Sequence, residues 1–175
     1  QQLLPTIRSR CQSHAMQWPD EAEALAWLQE RVAAAGGPAP GRDQLQVWWR
    51  AAGGRPNDAL VWGAAGLTAK AWSDLPSAFA RGDWSTLSDW PAAQQLDVLQ
   101  KLCHDLMARA SGAPTRYFAA DQLPPPPPLS VLSVWSKELM AAARTVEHPF
   151  SANLMQDAWA ARARQVLRPR AATAR

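Results

Sequence analysis

The sequence predicts an all-α fold, and three observations support that prediction. Hydrophobic residues make up 47% of the 175 positions, and they recur at spacings of three and four. Fifteen prolines and nine glycines divide the chain into segments of helical length. Alternating runs of strand-forming residues are nearly absent, and ten tryptophans stand against one tyrosine. The length fits one large domain or two small ones.

The first part of the chain predicts a bundle of three short helices. The first helix runs over about 20–35, because Asp20 and Glu23 have the spacing of a capping box. A second is predicted at about 43–52, and a third begins at Pro56, a residue suited to a first helical turn. The apolar residues expected on the inner face of the first helix are Leu25, Leu28 and Val32.

From Leu67 onward the pattern predicts longer helices. They are expected at about 68–80, 85–90, 91–110, 129–146 and 151–167. The strongest amphipathic pattern lies in 91–110, which we expect to be the central helix. Its apolar positions are Leu96, Leu99, Leu102, Cys103, Leu106, Met107 and Ala110. For the last two helices, the inward positions are Leu132, Trp135, Leu139, Met140, Leu154, Met155, Ala158 and Val166.

The run Pro124–Pro128 predicts a polyproline II rod of about 15 Å, at about 3.1 Å per residue. We expect it to act as a stiff spacer between helices. Docking into an aromatic-lined groove of a partner is the alternative use of such a rod.

Missing motifs restrict the possible functions. No Gly-rich loop ends in Gly-Lys-Ser/Thr, so we expect no nucleotide cofactor and no catalysis by this chain alone. Cys11 and Cys103 lie far apart without a Cys or His at ligand spacing, which predicts no metal site, no disulfide and reduced thiols. No apolar run has membrane-spanning length, and no signal peptide is recognisable. These features predict a cytoplasmic protein without a membrane partner.

The most specific motif lies in the opening segment, Leu3–Gln12. Its arginines Arg8 and Arg10 flank Ser9, and Cys11 follows. We expect the segment to be extended or poorly ordered, since the sequence offers it no strand partner. An arginine at a subunit boundary can stabilise the charge that builds on a γ-phosphoryl group in the neighbouring subunit. Two surface cations are the alternative interpretation.

Ser9-Arg10-Cys11 resembles the Ser-Arg-Cys signature of AAA+ clamp-loader subunits. The chain is similar to the delta-prime type of the bacterial DNA polymerase III clamp loader. Ala51–Leu60 resembles the start of the third helix of the lid, and Asn57 stands where ATP-hydrolysing members carry the sensor-2 arginine. The break at 82–84 and the helix entry at 148–154 are also similar to this type.

The resemblance implies a small three-helix AAA+ lid domain followed by a helical-bundle clamp-loader collar. It implies that Arg10, with Ser9 and Cys11, acts in trans on ATP that the adjacent subunit holds. The implied divisions are the end of an ATPase domain at 1–12, the lid at 13–66, the oligomerising collar at 67–168 and a disordered tail at 169–175. The start at Gln1, without methionine, further predicts that this chain is part of a longer protein.

The partners that the resemblance implies are gamma/tau and delta subunits, which the collar would contact. Through the assembled complex, the chain would act on the sliding clamp and primed DNA. One alternative is a stand-alone helical nucleic-acid-binding or protein-interaction module that uses the basic residues of 162–175. The other is a gamma/tau-type fragment, and Asn57 argues against it.

Overall fold

Eight α-helices make up most of the chain that this computed structural model describes, namely residues 4–12, 14–15, 17–146 and 152–168. They are α1 (Pro5–Arg8), α2 (Glu21–Ala34), α3 (Arg42–Ala51), α4 (Pro56–Ala64), α5 (Ala69–Arg81), α6 (Ala92–Ala110), α7 (Leu129–Ala143) and α8 (Ala152–Leu167). A 3₁₀ helix, Ser85–Leu87, lies between α5 and α6. Within these ranges there is no strand, so the all-α prediction is confirmed.

Helix α1 corrects the expectation for the opening segment. We expected an extended or poorly ordered segment, but residues 5–8 form a single helical turn that begins at Pro5. The Ser9 Oγ donates to the Thr6 carbonyl at 3.2 Å, and the Cys11 N–H donates to the Ile7 carbonyl at 3.0 Å. A helical turn satisfies its backbone groups locally, so it needs no second strand.

Local capping explains why α2 begins and ends where the sequence predicts. The Glu23 N–H donates to Asp20 Oδ1 at 2.8 Å, and the Asp20 N–H donates to Glu23 Oε2 at 3.4 Å. At the other end, Gly36 adopts a φ of +71°, a left-handed conformation that glycine enters without a steric penalty. Both ends of α2 therefore depend on residues within a few positions of them.

A single hydrophobic core joins the predicted lid region to the predicted collar region. Helices α2, α3 and α4 pack on one another, α6 packs on α7 and α8, and α3 also contacts α5. The rings of Trp62 and Trp72 lie 5.8 Å apart across the predicted boundary, and buried apolar residues continue from Leu25 to Leu167. The domain boundaries themselves stay predictions.

The buried faces match the predicted ones at most positions. Four residues that we expected to point inward are exposed: Ala110, Met140, Leu154 and Ala158. Met140 is 59% exposed and Leu154 is 70% exposed. Helix α7 buries a stripe of Leu132, Trp135 and Leu139. Met140, next to Leu139, lies outside this stripe.

The proline run lies alongside α8. Pro128 has a φ of −53° and a ψ of 140°, in the polyproline II region, and α7 begins directly after it. Residues 125–128 line a groove together with Val131, Arg162 and Val166. The run thus connects the loop after α6 to α7 while packing on the protein's own surface.

Candidate subunit-interaction site

The Ser-Arg-Cys motif lies on the surface, in the turn that follows α1. Ser9, Arg10 and Cys11 are all exposed, as are Leu4 and Ile7 on the turn before them. The backbone N–H of Arg10 donates to the Ile7 carbonyl at 3.2 Å. Its guanidinium forms no ion pair or side-chain hydrogen bond with any residue in the described ranges. Its five N–H donors are therefore open to a phosphate on another molecule.

Asn57, at the proposed sensor-2 position, is exposed in the first turn of α4. Arg55 occupies the N-cap position of this helix, and its side chain pairs with Asp58. The hydrogen bond that the guanidinium donates to Asp58 raises the pKa of Arg55. Among the described residues, this helix start therefore carries the neutral amide of Asn57 and a paired arginine. No hydrogen bond joins Asn57 to the Arg10 motif among the described residues.

A buried polar cluster that sequence analysis did not identify lies on α6. Asp105 has no exposed surface, and its carboxylate accepts three backbone hydrogen bonds. The donors are the N–H groups of Arg116, Tyr117 and Phe118, at 2.9, 2.8 and 2.7 Å. The Nδ1 atom of His104 lies 2.9 Å from Oδ1 of the same carboxylate. Asp105 therefore holds the loop after α6 in place.

The loop that Asp105 holds makes contact with two other regions. Phe118 stacks on Trp72 of α5, with ring centroids 4.5 Å apart and planes 3° apart. The indole N–H of Trp72 donates to the Tyr117 carbonyl at 3.1 Å. The Arg116 guanidinium donates to the carbonyl of Gly53, between α3 and α4. One buried carboxylate thus positions the contact between the predicted lid and the predicted collar.

Lys101 makes a second link between these regions, one turn before Asp105. Its side chain is 6% exposed, it pairs with Asp97, and its ammonium lies 4.6 Å from the ring centroid of Trp62 on α4. Burial lowers the pKa of Lys101, and the carboxylate of Asp97 opposes that shift. The ammonium therefore acts as a cation–π contact between α6 and α4.

The two cysteines have opposite environments. Cys103 is buried in α6, its thiol lies 3.5 Å from the Leu132 carbonyl, and burial raises its pKa to about 12. Cys11 is exposed beside Arg10. In the described part of the chain, no group of three or more His, Cys, Asp or Glu residues could hold a metal ion. None of the helices there combines the length and apolar character needed to cross a membrane.

The basic residues near the end of the chain are partly engaged by the fold. Arg162 forms two hydrogen bonds with the carboxylate of Glu138, at 2.6 and 2.9 Å. A Cβ at Gly82 would lie 2.9 Å from Cδ of Arg164, so this side chain packs on the end of α5. Both arginines are parts of α8. The predicted tail, 169–175, lies outside the described residues, as do residues 148–151 of the predicted helix entry at 148–154.

Comparison with known proteins assigns no family. No protein-family model matches the chain, and no curated protein matches its sequence significantly. The likeness to clamp-loader subunits therefore rests on the residues of the Ser-Arg-Cys motif and the segments around it.

Proposed function

We propose that this chain is the lid-and-collar part of a delta-prime-like clamp-loader subunit. It assembles with gamma/tau and delta subunits and helps to load the sliding clamp onto primed DNA. The observation that supports this proposal is an exposed Arg10 between Ser9 and Cys11, attached to an otherwise helical chain. Its guanidinium has no partner in the described ranges.

In this proposal, Arg10 acts on a nucleotide that the neighbouring subunit holds. Its guanidinium meets the oxygens of the γ-phosphoryl group and stabilises the charge that develops during transfer. The chain itself hydrolyses no ATP, which agrees with Asn57 at the sensor-2 position and with the pairing of Arg55 to Asp58. Arg10 is then a catalytic residue only within the assembly.

Two features support this proposal over the alternatives. The nucleic-acid-binding alternative relies on the basic residues of 162–175, and one of them, Arg162, is paired with Glu138. A gamma/tau-type fragment would need an arginine at residue 57. In the proposed division, 13–66 is the lid and 67–168 is the collar, and Lys101 and Arg116 connect them.

Co-assembly tests the proposed identity. The chain is mixed at micromolar concentration with purified bacterial gamma/tau and delta subunits, and the mass is followed by light scattering. We expect a new species whose mass is the sum of its subunits. A mixture in which all components keep their separate masses would contradict the proposal.

The role of Arg10 is tested in that assembly by comparing Arg10→Ala with Arg42→Ala, an exposed arginine at the start of α3. In the Arg10→Ala assembly, ATP hydrolysis at the site next to this chain should slow about a thousandfold or more. Single-turnover measurements should therefore lose the contribution of that one site. Arg42→Ala should hydrolyse at the unaltered rate, and both variants should assemble. Equal rates of ATP hydrolysis for the two variants would contradict the proposal that Arg10 acts on the neighbouring subunit's ATP.

A further inference from the structure

An apolar cavity of about 670 Å³ lies among α2, α3, α4 and the loop after α2. Its size is in the range of small-molecule binding sites. Val32 and Ala35 come from α2, Trp48 from α3, and the loop residues include Pro38 and Pro40. The remaining lining residues are Arg31, Gly37, Ala39, Leu60, Gly63 and Ala64.

Close packing of two helices forms the wall of this cavity. A Cβ at Gly63 would lie 2.9 Å from the ring of Trp48, so only glycine lets α4 approach α3 at this position. The indole N–H of Trp48 is already engaged, since it donates to the Leu67 carbonyl at 2.8 Å. The Trp48 ring therefore offers the cavity an apolar surface and no donor.

Part of the backbone at the rim is already hydrogen-bonded within the chain. The carbonyls of Arg31, Val32 and Ala33 accept hydrogen bonds from the backbone N–H groups of residues 35–37. Pro38 and Pro40 have no N–H group. The polar side chain among the lining residues is that of Arg31, so the cavity combines apolar walls with one cationic donor.

The Arg31 side chain is exposed at the rim of the cavity. Its guanidinium carbon lies 5.7 Å from the ring centroid of Trp27, within the range of a cation–π contact. Arg31 forms no ion pair or side-chain hydrogen bond with a residue in the described ranges. Its N–H groups lie in the guanidinium plane and can meet two oxygens of one anion.

We propose that this cavity binds a small organic monoanion with an apolar body, such as a medium-chain carboxylate. The apolar body lies against Trp48, Leu60 and Val32, and the anionic group pairs with Arg31. The cationic Arg31 at the rim favours an anionic group, and the apolar walls favour an apolar body, so together they define this class of ligand. The inference is independent of the proposed clamp-loader function, since it involves neither Arg10 nor the collar.

The test uses the fluorescent monoanion 8-anilinonaphthalene-1-sulfonate, which has an apolar ring system and one sulfonate. We expect saturable binding at one site, with decanoate displacing the probe and uncharged decanol displacing it at least tenfold less well. Equal displacement by decanoate and decanol would overturn the role of Arg31. The absence of saturable binding at millimolar probe would overturn the site.

Matched variants locate the site. Ala64 and Ala33 are both exposed, but only Ala64 lines the cavity, so Ala64→Phe adds a ring at its wall and Ala33→Phe adds the same ring away from it. Ala64→Phe should weaken probe binding tenfold or more, and Ala33→Phe should leave it unchanged. Arg31→Ala should weaken binding about tenfold or more, because it removes a charge-assisted hydrogen bond, and Arg42→Ala should not.

Circular dichroism and thermal unfolding confirm that each variant is folded before its affinity is compared. Equal affinity of Ala64→Phe and Ala33→Phe would place the probe elsewhere and overturn the proposal. The proposal also fails if Ala64→Phe blocks co-assembly with other subunits while probe binding is unchanged, since the cavity would then receive a partner's side chain.

Discussion

The segment that carries Arg10 and the cluster around Asp105 differ in burial, in contacts and in what each can do. Arg10 lies in an exposed turn whose hydrogen bonds are local, and its guanidinium pairs with no side chain in the described part of the chain. Asp105 has no exposed surface and holds three backbone N–H groups of a loop more than ten residues further along the chain. The first segment forms a recognisable motif, and the second builds the fold.

This difference follows from the cost of burying charge. An exposed guanidinium stays hydrated, so it needs no partner within the fold and does not destabilise it. A buried carboxylate has lost its water and needs a donor for each of its lone pairs. Three of those donors are backbone groups, which any residue type can supply, so no sequence motif marks them.

The two cysteines give the comparison with the largest expected effect. Cys11 is exposed, and Cys103 is buried with a pKa raised to about 12. At pH 8 only about one in 10⁴ Cys103 thiols would be thiolate, the form that reacts with iodoacetamide. We expect Cys11 to be alkylated at least about a thousandfold faster than Cys103, as measured by mass spectrometry of digested peptides.

Concentrated urea provides the control for this experiment. Unfolding exposes Cys103 and returns its thiol to an ordinary pKa, so both cysteines should then react at similar rates. Comparable alkylation of Cys11 and Cys103 in the native protein would mean that α6 is not the packed centre of this fold.

The next effect concerns the stability that Asp105 provides. Asp105→Asn keeps the size of the side chain but replaces one acceptor oxygen with an NH₂ group, which faces backbone donors. We expect the free energy of unfolding to fall by about 3 kcal/mol, since charge-assisted hydrogen bonds are lost and a buried donor is left unsatisfied. Urea unfolding followed by circular dichroism measures the change.

Two matched variants sharpen this result. Asp121→Asn changes an exposed acid in the same loop, and Arg10→Ala changes the motif arginine. Neither should move the urea midpoint, because both side chains lie in water. If Asp105→Asn were as stable as these two variants, the loop after α6 would not depend on its carboxylate.

Lys101 gives the smallest expected effect and a dependence on pH. Burial lowers its pKa in the folded protein below the value of 10.5 for an exposed lysine. The folded state therefore releases this proton at a lower pH than the unfolded state, and stability rises with pH between the two values. Lys101→Met should lack that rise and should change stability at neutral pH by only about 1 kcal/mol, because Asp97 is half-exposed.

Urea unfolding of Lys101→Met and of the unaltered protein, at pH values from about 8 to about 10.5, measures this dependence. Lys137→Met, a change at an exposed lysine of α7, is the control and should follow the unaltered protein. A pH profile of Lys101→Met parallel to that of the unaltered protein would show that the Lys101 ammonium is not destabilised by burial.

Much of the secondary structure was predictable because its causes are local. Asp20 and Glu23 lie three residues apart and set the start of α2, and the apolar stripe of α6 is visible in the sequence. The one-turn helix α1 was missed because its short length leaves no periodic pattern. The prediction for Met140 was wrong because the spacing of apolar residues gives the direction of a buried helix face but not its width. That width depends on the element that packs against the helix.

For the candidate sites, the sequence pointed to Arg10 and Asn57 but not to Asp105 or Arg31. Asp105 did leave one signal, since its carboxylate lies between two apolar positions of α6, Leu102 and Leu106. Its three backbone donors come from the loop after α6, and no spacing rule connects the two. Arg31 lies in a last helical turn like many arginines, and only the approach of α4 to Trp48 encloses a cavity beside it.

By itself, the sequence determined an all-α chain, most of its helix ends and the presence of an arginine motif at its start. These features depend on residues within a turn or two of one another. Tertiary structure alone decided that Asp105 and Lys101 tie the α2–α4 region to α6, and that a cavity forms beside Arg31. Such contacts join residues distant in the chain, and the packing of helix on helix selects them.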